Sequence, residues 1–161
     1  MQQKFDEEGN SIKLINSSVS GDTTGGGLGR LAKNLKKFKP DFVLIELGGN
    51  DALRGYSIKL IKSNLEKMIA LIKQNKSKVL LMQIRIPPNY GQKYMLAFEK
   101  IYKDLALTEE VYLIPFMLEE IGINSDLMQP DGIHPNKKAQ SLIAKDVKKN
   151  IDKFLLINQS N

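Results

Sequence analysis

The sequence predicts an α/β fold with a parallel sheet, and two patterns support this prediction. Short, nearly continuous apolar runs alternate along the chain with longer segments in which apolar residues recur at helical spacing. Continuous apolar runs are typical of strands covered on both faces, and the helical repeat is typical of amphipathic helices. Strands that alternate with helices form parallel sheets with helices on both sides. A length of 161 residues suits one core, so we expect residues 1–161 to form a single domain.

The elements follow one another as strand and helix along the chain. The predicted strands are residues 11–15, 42–47, 78–84 and 111–116. The predicted helices carry apolar stripes within residues 28–35, 58–72, 94–105 and 139–155. Ser57 precedes the second stripe and is a residue type favoured at helix N-caps. Parallel α/β sheets bind ligands beyond the carboxyl ends of their strands, so the loops after the strands are expected to carry function.

The composition excludes several classes of site. The chain has no cysteine and a single histidine, His134. Disulfides, thiolate metal sites, cysteine nucleophiles and zinc sites built on several histidines are therefore excluded. The net charge of +6 comes mostly from lysines and indicates a solvated surface, with attraction to anionic substrates or membrane surfaces as the alternative. No basic stretch is interleaved with aromatic residues, so we expect no nucleic-acid partner.

The chain is not expected to insert stably in a membrane. It contains no apolar run of about 18 residues, the length that would predict a spanning helix. Its first residues, MQQKFDEEGN, lack the charged and then apolar layout of an export signal.

The first candidate loop is the glycine-rich segment SGDTTGGG at residues 20–27. Glycines let the backbone approach a ligand closely, and the helix that begins here favours negative charge. The Gly-Lys-Ser/Thr sequence of a P-loop is missing. The segment therefore indicates either an anion-binding loop or a flexible turn.

The second candidate loop, ELGGND at residues 46–51, follows a buried strand. The side-chain amide of Asn50 could donate a hydrogen bond to an oxyanion that develops during a reaction. The alternative is an Asx turn that ends the strand.

The third candidate is the segment DGIHP at residues 131–135. Asp131 precedes His134 by three residues and could accept a hydrogen bond from Nδ1–H, which would fix the tautomer. Nε2 would then be free to act as a general base. The alternative is a surface histidine near the start of the last helix.

Taken together, these loops resemble the blocks of the SGNH (GDSL-type) hydrolases. The segments NSSVSGDT, LIELGGNDALRG, LLMQIRIPPNYG and MQPDGIHPN are similar, in the same order, to those of a bacterial group of multifunctional thioesterases, lysophospholipases and arylesterases. The resemblance runs from about residue 11 to the C-terminal helix. It implies a flavodoxin-like, three-layer α/β sandwich and hydrolysis of acyl esters or thioesters by serine–histidine acyl transfer.

The resemblance also assigns roles to individual residues. Asp131 would orient His134, which would activate the nucleophile and protonate the leaving group. The backbone N–H of Gly21 and the side chain of Asn50 would form the oxyanion hole. No metal or organic cofactor is implied, the substrate would be a small acyl ester or thioester, and a monomer is expected. The residues expected to contact the substrate are Asp51, Leu53, Tyr56, Ile86 and Pro87.

The nucleophile of the family has no counterpart in this sequence. Members of the family begin with an apolar strand that ends in Gly-Asp-Ser, whereas the first residues here resemble the end of the helix that follows that strand. Thr23 follows a Gly-Asp pair, but that pair already matches the glycine block. Ser17, Ser18 and Ser20 have no motif around them. We therefore expect a truncated domain that lacks its first, central strand and is inactive alone.

A missing central strand has structural consequences. The chain is expected to be marginally stable or to aggregate, unless residues 11–15 pair directly with residues 42–47. The functional alternative is a non-catalytic remnant or an acyl-binding module. Relatives in this group are commonly exported, so a periplasmic location is expected if the missing segment carries an export signal, and a cytoplasmic one otherwise.

Overall fold

The computed structural model describes residues 1–7 and 12–159 and shows an α/β chain. The helices are α1 (Gln2–Glu7), α2 (Thr24–Phe38), α3 (Gly49–Leu53), α4 (Ile58–Gln74), α5 (Gln92–Thr108) and α6 (Gln140–Gln159). The strands are β1 (Phe42–Ile45), β2 (Lys78–Met82) and β3 (Tyr112–Ile114). Short 3-10 turns lie at Pro88–Tyr90, Ser125–Leu127 and Lys137–Ala139. Three of the four predicted strands are confirmed, each shorter than its apolar run.

The strands form one parallel sheet in the order β1-β2-β3. Leu44 is paired with Leu80 across the first interface, and Leu81 with Leu113 across the second. β2 is central, and after its first residue every side chain is buried, as its continuous apolar run predicts. Among the described strands, β1 pairs only with β2, so one edge of β1 has no strand beside it.

The predicted strand at residues 11–15 is wrong for residues 12–15, which the structure describes. Residues 12–15 form no strand, and Ser11 lies outside the described residues. The side chain of Gln2 supplies hydrogen bonds that a ladder would otherwise provide. Its Nε2 donates to the Ile12 carbonyl at 2.9 Å, and its Oε1 accepts the Leu14 N–H at 2.7 Å. Satisfied in this way, the backbone here has less need of a strand partner.

The chain contacts divide the molecule into two compact units. The first, called the sheet unit, is Ser17–Pro115, and the second, called the terminal unit, is Met1–Asn16 together with Phe116–Asn161. The expectation of a single domain stays a prediction.

The sheet unit has one apolar core. Helices α4 and α5 contact β2, and α2 packs against α4. The predicted start of α4 is confirmed, because the Ser57 hydroxyl accepts the Leu60 N–H at 3.2 Å. Fully buried core residues come from α4, α5 and β2: Ile61, Leu65, Ile69, Ile72, Leu81, Phe98, Tyr102 and Leu105.

The terminal unit is built on the contact between α1 and α6. Phe5 of α1 is fully buried, and Val147, Ile151 and Phe154 form the buried face of α6. Lys148 is also buried; its ammonium pairs with Asp152 at 2.7 Å and lies 5.2 Å from the centre of the Phe5 ring. Such an arrangement hides the lysine stem while its charge stays satisfied. No helix within the described ranges is long and apolar enough to cross a membrane.

Candidate active site

The loop before α2 places Gly21 at a turn that favours glycine. Its φ is +75°, in the left-handed region, and the Asp22 N–H closes the turn on the Val19 carbonyl at 3.2 Å. Thr23 then caps α2, because its side-chain oxygen accepts the Gly26 N–H at 3.2 Å. Gly21 is exposed, and its N–H donates to no atom within residues 1–7 and 12–159. This N–H is therefore available to a ligand.

Asn50 lies in the first turn of α3, just beyond β1, and reaches the same loop. Its Nδ2 donates to the Asp22 carbonyl at 3.0 Å. The structure thus brings together the two residues that were predicted to form an oxyanion hole. A carboxamide carries two N–H groups, and the bond to Asp22 uses one of them. The second N–H of Asn50 remains for a ligand.

Asp51 was predicted to contact the substrate, but the structure places its side chain in the interior. Asp51 is 0% exposed. Its Oδ2 accepts the Thr24 N–H at 2.8 Å, and its Oδ1 accepts the Thr24 hydroxyl at 2.5 Å. Both carboxylate oxygens thus have partners in the protein. Substrate contact by Asp51 stays an untested prediction that these bonds do not favour.

Tyr102 supports the turn at the end of β1, a role that the sequence did not reveal. Its hydroxyl donates to the Leu47 carbonyl at 2.9 Å, next to Gly48, whose φ is +120°. Burial, and then the negative charge of Asp51, raise the pKa of Tyr102 well above its ordinary value, so the hydroxyl stays a donor. In the sequence Tyr102 was only one member of an apolar stripe. The pair Gly48-Gly49 was the one sign that something approaches this turn closely.

The remaining predicted substrate contacts lie in two segments of the sheet unit. Tyr56 is 39% exposed, and its carbonyl accepts the Tyr94 hydroxyl at 2.5 Å. Leu53 and Pro87 are half-buried, whereas Ile86 is buried within the apolar core. The predicted contacts of these four residues with an acyl chain are untested.

Asp131 and His134 form the contact that their spacing predicted. His134 Nδ1 lies 2.8 Å from Asp131 Oδ2, while Asp131 Oδ1 accepts the N–H groups of Ile133 at 2.9 Å and His134 at 3.0 Å. Gly132 adopts φ +67° within this tight turn. The carboxylate is therefore held by three hydrogen bonds. With Nδ1–H as the donor, Nε2 of the largely exposed His134 can accept a proton.

Asn136 holds the ends of this loop together, a role that no sequence motif predicted. Its Nδ2 donates to the carbonyls of Asp126 at 2.8 Å and Met128 at 3.1 Å. The Gln129 N–H donates to the His134 carbonyl at 2.7 Å. The backbone of His134 is thus fixed from across the loop as well as by Asp131. An asparagine directly after DGIHP was the only signal in the sequence.

We expect Asp131 to titrate at unusually low pH. Hydrogen bonds from the His134 backbone, the His134 side chain and the Ile133 backbone lower its pKa from 3.8 to about 2. Because the folded-state pKa is lowered, ionised Asp131 favours the folded loop above its unfolded-state pKa, and this contribution is lost as pH falls towards about 2. Carboxyl ¹³C shifts recorded against pH measure this value.

His134→Ala provides the control for this titration. Alanine removes the imidazole but keeps its backbone N–H, so the pKa of Asp131 should rise only part of the way to its usual value. A full return would show that the backbone N–H groups do not hold the carboxylate, contrary to the structure.

Comparison with known families decides what kind of chain this is. Residues 1–142 match the model of the GDSL-like lipase/acylhydrolase family. The chain belongs to this family. The resemblance to SGNH hydrolases seen in the sequence is confirmed.

Individual members of the GDSL-like family agree with this assignment. The chain is 50% identical over 149 residues to a protein named arylesterase from Vibrio mimicus, covering 92% of this chain and 74% of the relative. It is 47% identical over 131 residues to thioesterase 1/protease 1/lysophospholipase L1 of Escherichia coli K12, covering 81% of this chain and 63% of that protein.

A solved structure of the psychrotrophic esterase EstA from Pseudoalteromonas sp., inhibited by monoethylphosphonate, matches with a TM-score of 0.93. Its sequence is 42% identical, and the match covers 96% of this chain and 84% of EstA. At this level of similarity the predicted α/β fold class of the SGNH hydrolases is confirmed.

Proposed function

We propose that this chain carries the histidine, aspartate and oxyanion-hole residues of an ester and thioester hydrolase. The observation that carries the proposal is the Asp131–His134 pair, in which three hydrogen bonds hold the carboxylate and one of them orients the imidazole. Membership of the GDSL-like family and the names of the relatives support acyl esters and thioesters as substrates.

Each of these residues has a defined role in the proposed reaction. His134 Nε2 removes the proton of a serine hydroxyl as its oxygen attacks the acyl carbonyl, and later gives that proton to the leaving group. Asp131 keeps His134 in the correct tautomer and stabilises the imidazolium. The N–H groups of Gly21 and Asn50 donate to the oxyanion of the tetrahedral intermediate. Water then hydrolyses the acyl-serine, again with His134 as the base.

We further propose that the serine itself is supplied by a segment outside these 161 residues. Thr23, which imitates the family motif, already caps α2 with its side-chain oxygen. The edge of β1 that lacks a strand partner among the described residues could accept the first strand of the family, which carries Gly-Asp-Ser. The chain as given is then incomplete for catalysis.

We also propose that the acyl chain binds on the sheet unit. Leu53, Tyr56, Ile86 and Pro87 offer apolar surface in the unit that carries Gly21 and Asn50. The half-buried Leu53 is the last residue of α3, and the exposed Tyr56 lies three residues after it. This placement supports contact with the acyl part of a substrate.

Labelling with a fluorophosphonate tests the proposal directly. The purified 161-residue chain is treated with the probe, its intact mass is measured, and a p-nitrophenyl ester assay runs in parallel. We expect no adduct and no turnover from this chain. A second protein, in which an apolar strand ending in Gly-Asp-Ser precedes the same residues, should be labelled on that serine and should hydrolyse the ester.

Two outcomes would contradict parts of this proposal. An adduct on the unextended chain would show that the nucleophile lies within it, and peptide mapping would identify the serine or threonine. If the extended protein folds but neither reacts nor hydrolyses esters, the chain is not a hydrolase. Tight fatty-acid binding without turnover would then favour an acyl-binding module.

A further inference from the structure

Asp51, Thr24 and Asn64 form a buried polar cluster that joins three helices. Asp51 and Thr24 are 0% exposed, and Asn64 is 8% exposed. Asp51 accepts two hydrogen bonds from Thr24, one from its N–H at 2.8 Å and one from its hydroxyl at 2.5 Å. Asn64 Nδ2 donates to the Thr24 hydroxyl at 3.0 Å. The cluster thereby links the first residue of α2 to α3 and α4.

The negative charge of Asp51 is held by directed hydrogen bonds. Within the described parts of the chain, no lysine or arginine forms an ion pair with Asp51. Thr24 is the first residue of α2, and the start of a helix carries partial positive charge and free N–H groups. A buried carboxylate in this position is stable only while both Thr24 donors point at it. The position of α3 relative to the start of α2 is therefore tightly constrained.

The proposed oxyanion donors lie close in sequence to two residues of the cluster. Asn50 immediately precedes Asp51, and Gly21 lies three residues before Thr24. Two further bonds join these loops, one from Asn50 to the Asp22 carbonyl and one from Arg54 to the Gly21 carbonyl; the first is part-buried and the second is exposed. Water competes with such bonds far more than with the buried pair.

We propose that Asp51 is a positioning residue: through Thr24 it holds the Gly21 N–H and the Asn50 carboxamide at the spacing that an oxyanion requires. The inference rests on the proposed function, because only an acyl-transfer reaction needs that spacing. Asp51 does not touch the substrate in this role. Its effect on the reaction passes through the two donors, which makes their positions the quantity to measure.

Nuclear magnetic resonance of the ¹⁵N-labelled protein, extended with the Gly-Asp-Ser strand, can separate positioning from general stability. In Asp51→Asn, one carboxylate oxygen is replaced by an NH2 group, which cannot accept either of the two donors of Thr24, so the junction loosens. The Gly21 amide, far from the mutation in sequence, is the reporter. In Thr24→Val, which removes the hydroxyl at nearly constant shape, the Asn50 side-chain amide is the reporter. Each reporter is chosen so that the substitution is not its chain neighbour.

We expect each reporter cross-peak to shift or broaden beyond detection while the core amides of Ile69 and Leu81 stay in place. Thr24→Ser keeps both donors and should retain the wild-type Gly21 and Asn50 peaks. Asp104→Asn and Thr108→Val serve as matched controls, because they change the same residue types on α5, where Asp104 is half-buried and Thr108 is exposed.

The outcomes for this inference and for the proposed function are distinct. If Asp51→Asn and Thr24→Val lower the melting temperature but leave both reporters unchanged in the folded protein, the positioning role is overturned. If Asp51→Asn does not fold, the Asn50 reporter in Thr24→Val decides alone. Absence of ester hydrolysis in the extended protein would contradict the proposed function without altering these cross-peaks.

Discussion

Replacing His134 with alanine should lower kcat for a p-nitrophenyl ester by about 10³-fold or more in the protein extended with the Gly-Asp-Ser strand. His134 is the only imidazole in the chain, and no other histidine can take the serine proton. Steady-state kinetics at saturating ester measure the effect. Fluorophosphonate labelling should slow in parallel, since it depends on the same activated oxygen.

Asp131→Asn should reduce kcat by up to about 10⁴-fold, because the amide can favour the wrong imidazole tautomer while the loop keeps its shape. The two losses should not multiply in the double variant, since both residues serve one proton transfer. Asp126→Asn is the matched control: it lies in the same loop, and only its backbone carbonyl holds Asn136. If His134→Ala retained activity within about tenfold of the parent, the proposed base would be wrong.

Gly48→Ala should destabilise the sheet unit by about 2–5 kcal/mol. The backbone of Gly48 has φ +120°, which an L side chain rarely adopts, and a Cβ there would lie 2.3 Å from the Tyr102 hydroxyl oxygen. That oxygen cannot move away without breaking its bond to the Leu47 carbonyl. Chemical denaturation of the extended protein, followed by circular dichroism, gives the difference in free energy of unfolding.

Tyr102→Phe provides a specific test of this clash. Alone, it should cost about 1–2 kcal/mol, because the Leu47 carbonyl loses its donor. In the Tyr102→Phe background the ring carbon Cζ would be 3.5 Å from the new Cβ, so Gly48→Ala should cost only its backbone strain, about 1–3 kcal/mol. Strictly additive effects would show that Tyr102 does not restrict this turn.

Local patterns in the sequence were enough for the elements of the sheet unit. The apolar run that became β2 is buried from its second residue onward, and Ser57 caps α4 as its residue type predicts. The pattern failed at residues 11–15. The apolar residues there indicated a strand, but a strand forms only beside a partner strand. Here the Gln2 side chain bonds the Ile12 carbonyl and the Leu14 N–H instead.

The candidate site divides in the same way. The Asp131–His134 contact spans three residues within one turn, so spacing alone could predict it. The bond between Thr24 and Asp51 spans 27 residues, and nothing in either local motif marks it. The family resemblance predicted substrate contact for Asp51, which stays a prediction; the structure adds that Asp51 is buried and bonded to the first residue of α2.

Short motifs and the period of apolar residues were sufficient to predict the family and the parallel α/β class, and the same motifs supplied the candidate site residues. The contacts between polar groups of different loops became known only from the folded chain: Asn50 with Asp22, Asp51 with Thr24, and Tyr102 with the turn at Gly48. These contacts depend on the parallel register of β1 and β2 and on how α2, α4 and α5 pack. No single segment of the sequence specifies that register or that packing.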